Sequence, residues 1–212
     1  MRVCLASTSP ARLMLLRQVG IEPLTLSPDV DEDAVAAEAA EQRGSELDPA
    51  DLVLLLARAK AAAVSRRLAA DGDFDGLVIG GDSMFALGGR VYGKPHTPDE
   101  ATRRWREMRG ATGVLHSGHS VHRVTPGREP VEATAVAQAS VSFADDITDA
   151  EIAAYVATGE PLHVAGAFTV DSLGGAFITR VEGDPSTVVG MSLSTIRRLA
   201  GELGVTWTDL WS

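Results

Sequence analysis

Residues 2–19 read RVCLASTSPARLMLLRQV and predict a strand that leads through a short polar loop into a helix. Arg2–Ala6 alternates little between apolar and polar residues, which is typical of a buried first strand. Apolar residues then recur at helical spacing up to Gly20. Ser9 can cap this helix, and Pro10 suits its first turn because proline has no N–H to leave unpaired. The chain therefore opens with a strand–loop–helix unit.

The rest of the chain continues as short strand and helix patterns separated by Gly and Pro. We predict further strands at Pro23–Leu26, Leu77–Gly81, Gly113–Val124, Val131–Phe143 and Ala176–Val181, and a hairpin over Ser83–Tyr92. We predict further helices at Ala34–Gln42, Pro49–Ala70 and Leu193–Leu203, and two that begin after the capping boxes of Thr97 and Thr148. Strand–helix units mixed with hairpins indicate an α/β protein with a mixed sheet. No fixed-period repeat or linker interrupts the chain, so we expect one domain over residues 1–212.

Composition narrows the classes of function. The chain has 212 residues and a net charge of −10, from 29 acidic residues against 19 Lys plus Arg. A field of this sign repels a long polyanion, so we do not expect polymeric nucleic acid as a partner. The longest apolar run, Leu52–Ala57, is too short to cross a membrane. Cys4 is the only cysteine, which together with the missing leader pattern predicts a reducing, cytoplasmic location.

Ser7, Ser9 and Arg12 indicate an anion site at the start of the first helix. The unpaired N–H groups and the dipole of a helix N-terminus favour a negative charge, and the two hydroxyls add donors. Arg12 lies in the first turn, where a cation is unfavourable unless an anion lies in front of it. The alternative is that Ser9 only caps the helix while Arg12 points into water. The loop does not match the Gly-rich phosphate-binding signature.

Further charged residues are candidates for catalysis. Asp82 follows an apolar strand and two glycines, a common position for a catalytic or metal-binding carboxylate, although a turn Asp has the same pattern. Lys60 lies among small apolar residues that would let its ammonium reach inward, and Lys94 lies between Gly93 and Pro95. Either lysine could instead be solvated. Glu32 belongs to the acidic run DVDED at 29–33, which could ligate a hard divalent cation or favour the following helix N-terminus.

The histidines at 116, 119 and 122 have a spacing that would align them on a helix. Their neighbours are typical of a strand, so His119 should face away from His116 and His122. We therefore do not predict a zinc site.

Seven blocks across nearly the whole chain resemble the Maf-like nucleotide pyrophosphatases, also called septum-formation-inhibitor proteins. These blocks are LASTSPAR (5–12), DVDE (29–32), ARAKA (57–61), GDS (81–83), GKP (93–95), AGAF (165–168), and GD with VVG (183–184 and 188–190). The resemblance implies an elongated mixed sheet flanked by helices, with two lobes around a deep cleft, as in the inosine triphosphatase fold. It also implies a cytoplasmic homodimer that hydrolyses nucleoside triphosphates to monophosphate and pyrophosphate with Mg²⁺ or Mn²⁺.

The resemblance also implies phosphate-binding or catalytic roles for individual residues. Our hypothesis is that Asp82 is the general base and shares the metal with Glu32. Lys60 and Lys94 would neutralise charge on the polyphosphate during catalysis. Phosphate oxygens would be bound by Ser7, Ser9 and Arg12.

Three positions depart from the family pattern. Ala11 stands where the signature commonly has a second arginine, Ser83 where the Asp is usually followed by Thr, and Asp171 where the pyrimidine-specific branch has Gln. All three positions bear on base selection in that branch, so the preferred base, canonical or modified, stays open. Two other functions also stay open: a non-catalytic nucleotide-binding regulator of cell division, and a phosphatase that releases orthophosphate.

Overall fold

The computed structural model describes all residues of the chain, 1–212. The strands are β1 (Arg2–Ala6), β2 (Leu24–Thr25), β3 (Gly76–Leu87), β4 (Arg90–Tyr92), β5 (Thr112–Val124), β6 (Val131–Phe143) and β7 (Ile178–Gly183). The helices are α1 (Pro10–Gln18), α2 (Glu32–Arg43), α3 (Pro49–Asp71), α4 (Pro98–Met108), α5 (Asp149–Ala157), α6 (Pro185–Val189) and α7 (Leu193–Glu202). Short 3₁₀ turns cover Glu160–His163, Ala165–Ala167, Leu173–Phe177 and Trp207–Leu210. The predicted mixed α/β class is confirmed.

The strands form one sheet in the order β2-β1-β3-β5-β6-β7, and β4 pairs with β3. β1 is parallel to both of its neighbours, with Cys4 opposite Leu24 on one side and Val78 on the other. β4 and β7 are antiparallel to their partners. Parallel and antiparallel pairs therefore occur in the same sheet, as the mixture of strand–helix units and hairpins predicts.

The clearest difference from the sequence analysis concerns β3. We expected this strand to end at Gly81, with Asp82 following it, but β3 continues to Leu87. The second half of the strand is paired with β4, with Phe85 opposite Tyr92. Asp82 therefore lies inside a strand, and the polar pair Asp82-Ser83 does not mark a strand end.

Two compact units divide the chain. The first comprises Met1–Asp82, Ser117–Ala137 and Gly190–Ser212, and the second comprises Ser83–His116 and Gln138–Val189. Strands β3, β5 and β6 contribute residues to both units. The single domain expected from the sequence stays a prediction.

Glycines bring helix α3 close to two strands in the first unit. A Cβ added to Gly80 would lie 2.5 Å from the carbonyl oxygen of Ala57, and one added to Gly118 would lie 2.2 Å from that of Val53. Real Cβ atoms do not approach backbone so closely, so only glycine permits this packing. The apolar core beside it contains the buried side chains of Cys4, Ala6, Val64, Phe74, Val78 and Val124.

Aromatic rings form the core of the second unit. The indole of Trp105 is fully buried, and its ring meets those of Phe143 and Tyr155 edge to face, with centroids 5.6 and 5.2 Å apart. Its Nε1–H donates to the carbonyl oxygen of Ala167 at 2.8 Å, so the one polar atom of the indole is satisfied.

In α5, Thr148 and Glu151 form both hydrogen bonds of the predicted capping box. Across the whole chain, no helix combines the length and apolar character needed for a membrane span.

Candidate functional site

The loop between β1 and α1 is held by hydrogen bonds among the three predicted anion-binding residues. The hydroxyl of Ser7 accepts from the backbone N–H of Ser9 at 3.1 Å and from Nη1 of Arg12 at 3.2 Å. Ser9 is the N-cap of α1, where its side chain accepts from the backbone N–H of Arg12 at 3.5 Å. Ser7 is buried and Ser9 is half-buried. The structure therefore brings Ser7, Ser9 and Arg12 together.

The guanidinium of Arg12 turns inward, which excludes the alternative that it points into water. Its Nε–H donates to the carbonyl oxygen of Gly190 at 2.9 Å, and a Cβ added to Gly81 would lie 3.4 Å from Nε. Burial lowers the pKa of Arg12, and the negative charges of Asp82 and Glu32 act in the opposite direction. A half-buried cation whose pKa is shifted by burial and by nearby carboxylates is typical of a functional site.

Lys60 contacts both carboxylates that were predicted to share a metal, Asp82 and Glu32. Its Nζ lies 2.7 Å from Oδ1 of Asp82 and 2.8 Å from Oε1 of Glu32. The side chains of Lys60 and Asp82 are only 8% and 10% exposed, whereas that of Glu32 is 50% exposed. One ammonium therefore binds a buried carboxylate on one side and a solvated one on the other. No hydrogen bond within the chain is formed to Oδ2 of Asp82.

Close packing of α3 on β3 explains why these groups meet. Ala57 and Lys60 are three residues apart and share a face of α3, while Gly80 and Asp82 are two apart and share a face of β3. Because Gly80 lets the backbone of Ala57 approach, Lys60 on the next turn reaches Asp82. Glu32 is the first residue of α2, whose N-cap is Asp31. The small residues around Lys60 carried this signal in the sequence.

The carboxylates of Glu32 and Asp82 fit a divalent cation in their chemistry. Both already converge on one positive charge, the ammonium of Lys60. Mg²⁺ is usually bound by one or two carboxylates together with phosphate oxygens and water, so two carboxylates are a sufficient protein contribution. No cluster of three or more His, Cys, Asp or Glu side chains suited to a metal is formed anywhere in the chain.

The remaining predicted site residues are placed differently. Ala11 is half-buried in the first turn of α1. Lys94, Ser83 and Asp171 belong to the second unit. Lys94 is exposed in the loop after β4 and forms no ion pair, Ser83 is half-buried in β3, and Asp171 is exposed.

A buried polar network on β5 was missed by the sequence analysis. Ser117 and His119 are fully buried in this strand, which confirms that the histidine pattern belongs to a strand. Nε2 of His119 accepts from the backbone N–H of Ser192 at 2.9 Å. The Ser117 hydroxyl lies 3.4 Å from the carbonyl oxygens of both Asp82 and Gly190. The alternation of polar and apolar residues along β5 gave no signal for these partners.

Glu160 of the second unit was also missed. Its carboxylate accepts hydrogen bonds from the hydroxyls of Tyr155, Thr169 and Ser172, at 2.8, 2.5 and 2.7 Å. It also accepts from the backbone N–H of Gly174 at 3.2 Å. Burial raises its pKa, but these hydrogen bonds outweigh burial and lower the pKa to about 2. Glu160 therefore ties down the loop that contains Asp171.

Comparisons with known proteins give one consistent result. The family model described as "Maf: Maf-like protein" matches residues 2–203. A protein of Leifsonia xyli subsp. xyli named nucleoside triphosphate pyrophosphatase is 60% identical over 213 residues, which cover 100% of this chain and 97% of that protein. A protein of the same name from Salinispora tropica is 51% identical over 212 residues, with coverages of 100% and 88%.

Among solved structures, the chain is similar to a nucleoside-triphosphatase, dITP/XTP pyrophosphatase, of Mycobacterium abscessus. The TM-score is 0.36 and the identity 12%, over 99% of this chain and 100% of that one. A likeness at this level says nothing further about the chain.

Proposed function

This chain belongs to the Maf-like protein family, and from that premise we propose that it hydrolyses nucleoside triphosphates to a nucleoside monophosphate and pyrophosphate. The names of its relatives support this activity. The single observation that carries the proposal is the contact of buried Lys60 with Asp82 and Glu32, in the same unit as the half-buried Arg12. Phosphoryl transfer requires positioning and charge neutralisation more than covalent chemistry, and these groups supply both.

We propose that Asp82 is the general base. Water attacks the α-phosphorus in line with the bond to the β-phosphate, and the water proton passes to Oδ2 of Asp82. The bond from the α-phosphorus to the bridging oxygen breaks, and its electron pair leaves with pyrophosphate. The ammonium of Lys60 holds Oδ1 at 2.7 Å, so the orientation of the carboxylate is fixed while Oδ2 stays available.

Glu32 and Asp82 are the residues that would hold a divalent cation, Mg²⁺ or Mn²⁺. Such a cation, when bound, supplies positive charge that stabilises the transferring phosphoryl group. The hydroxyls of Ser7 and Ser9, the guanidinium of Arg12 and the N-terminus of α1 bind phosphate oxygens in this proposal. Lys94, which forms no ion pair within the chain, contributes a further positive charge.

We also propose which residues select the base, where the protein is located and how it assembles. We expect Ala11, Ser83 and Asp171 to influence which base is accepted, including modified bases, because these positions depart from the family pattern. The resemblance to the Maf-like family supports a cytoplasmic homodimer. Light scattering of the purified protein measures the assembly directly, and a monomer at all concentrations would contradict it.

A panel of canonical and modified nucleoside triphosphates tests the function. Purified protein is incubated with each nucleotide, with and without Mg²⁺ or Mn²⁺, and pyrophosphate and orthophosphate are measured separately. We expect cation-dependent release of pyrophosphate. Orthophosphate alone would identify a phosphatase, and tight nucleotide binding without turnover would identify a non-catalytic regulator.

The Asp82→Asn variant tests the assignment of the base. Loss of the proton acceptor is expected to lower kcat by about 10²–10⁴. Asp71→Asn is the matched control, because Asp71 is exposed at the end of α3. A folded Asp82→Asn protein with kcat close to that of the control would remove Asp82 from this role.

A further inference from the structure

His119 belongs to a buried hydrogen-bond network and takes no direct part in the proposed reaction. Its ring is fully buried, and Nε2 lies 2.9 Å from the backbone nitrogen of Ser192. A backbone N–H can only donate, so Nε2 carries no proton and the imidazole acts as an acceptor there. Ser192 is the N-cap of α7, and its hydroxyl accepts from the backbone N–H of Thr195 at 3.2 Å. His119 thus bonds to the residue that caps the N-terminus of α7.

The same segment carries the carbonyl group that binds Arg12. Gly190 precedes Ser192 by two residues, and its carbonyl oxygen accepts from Nε of Arg12 at 2.9 Å. Gly190 has φ of +128°, a backbone conformation that side-chain-bearing residues rarely adopt. The Ser117 hydroxyl lies 3.4 Å from this carbonyl oxygen and 3.4 Å from Nε2 of His119. Strand β5 therefore contacts the segment at both Gly190 and Ser192.

We propose that His119 is a positioning residue for Arg12. By holding Ser192 it holds the Gly190 carbonyl, which sets the orientation of the guanidinium. Because the guanidinium is planar, fixing its Nε–H also fixes the Nη groups, one of which donates to Ser7 at 3.2 Å. The functional consequence rests on the proposed function, in which Arg12 binds phosphate. The hydrogen-bonded path from His119 to Arg12 does not depend on that function and can be tested without it.

Hydrogen exchange of the Arg12 Nε–H tests the path without any turnover. His119→Met keeps the bulk of the side chain and removes the nitrogen acceptor. His119→Asn keeps a polar group too short to reach Ser192. His119→Gln places an amide oxygen at the distance of Nε2. The internal control is the buried Nε1–H of Trp105, which is bonded within the second unit.

We expect slow exchange of the Arg12 Nε–H in the wild type, and exchange about tenfold faster or more in the Met and Asn variants. The Gln variant should stay within about threefold of the wild type, and Trp105 should not change in any variant. Unchanged Arg12 exchange in a folded Met or Asn variant would overturn the proposal. Equal acceleration at Trp105 would also overturn it, because the effect would then be general loosening.

Kinetics test the functional consequence. A displaced Arg12 weakens substrate binding, so KM should rise by about tenfold in His119→Met while kcat stays within about threefold. In an Arg12→Ala background the same substitution should have no further effect on KM, because its effect passes through Arg12. Additive effects would refute positioning through Arg12. Absence of pyrophosphate release by the wild type would refute the proposed function, while the exchange measurement would still decide the path.

Discussion

Replacement of Lys60 by Met, compared with replacement of Glu32 by Gln, separates the contributions of the two carboxylate partners of Lys60 to stability. Methionine keeps an unbranched apolar side chain and removes the ammonium, which lies 2.7 Å from Asp82 and 2.8 Å from Glu32. The two distances are nearly the same, so distance alone would assign the partners equal weight. Exposure differs fivefold, at 10% for the Asp82 side chain and 50% for Glu32.

The exposure of each carboxylate decides how much its ion pair with Lys60 contributes to the free energy of unfolding. Removal of one partner from a buried ion pair costs about 3–5 kcal/mol, because it leaves an uncompensated buried charge. A solvated pair contributes about 0–1 kcal/mol. Lys60→Met should therefore lower the free energy of unfolding at neutral pH by about 3–5 kcal/mol, whereas Glu32→Gln should lower it by less than about 1 kcal/mol. The double variant Lys60→Met/Asp82→Asn should be more stable than Lys60→Met alone, since the buried charge is then removed.

Urea unfolding followed by circular dichroism, together with calorimetry, measures these differences. For a chain of this length, about 2–4 °C in Tm corresponds to each kcal/mol, so Lys60→Met should melt roughly 6–20 °C lower. Equal losses for Lys60→Met and Glu32→Gln would refute the reasoning from burial. A double variant that is less stable than Lys60→Met alone would refute the explanation by an unpaired buried charge.

Two further predictions concern stability. The pKa of Glu160 is lowered from 4.5 to about 2. Its hydrogen bonds therefore stabilise the fold above pH 4.5, and this contribution is lost as the pH falls towards 2. Because the carboxylate is only half-buried and solvent screens its interactions, Glu160→Gln should lower the free energy of unfolding at neutral pH by about 1–2 kcal/mol. Urea unfolding as a function of pH should show this difference shrinking on acidification, and a difference independent of pH would contradict it. Gly118→Ala should lower the free energy of unfolding by more than about 4 kcal/mol, because the new Cβ would lie 2.2 Å from the carbonyl oxygen of Val53. Gly201→Ala is the matched control, with open space around it in α7, and should raise Tm slightly.

Local features were predictable from the sequence because their causes lie within a few residues. The helix after Ser9 and the capping box of Thr148 depend on side chains that bond to the backbone three residues away. The end of β3 depends instead on pairing with β4, and the polar pair at residues 82 and 83 gave a false signal of a break. Sequence position alone could not reveal that the strand continues.

The same contrast between local and distant partners applies to the candidate site. Lys60 could be predicted to reach inward because its neighbours are small. The orientation of Arg12 could not be predicted, because the carbonyl that accepts its Nε–H belongs to a residue 178 positions later. His119 was missed for the same reason, since its partner Ser192 lies 73 positions away and donates from the backbone.

The division of the chain into two units has a practical consequence for protein engineering. The polypeptide passes from one unit to the other after Asp82, His116, Ala137 and Val189, and the first three crossings fall inside strands β3, β5 and β6. No single truncation can yield either half, because each half is assembled from separated stretches of polypeptide. An attempt to produce either half alone must re-splice these stretches with new connecting turns, or reorder the gene by circular permutation.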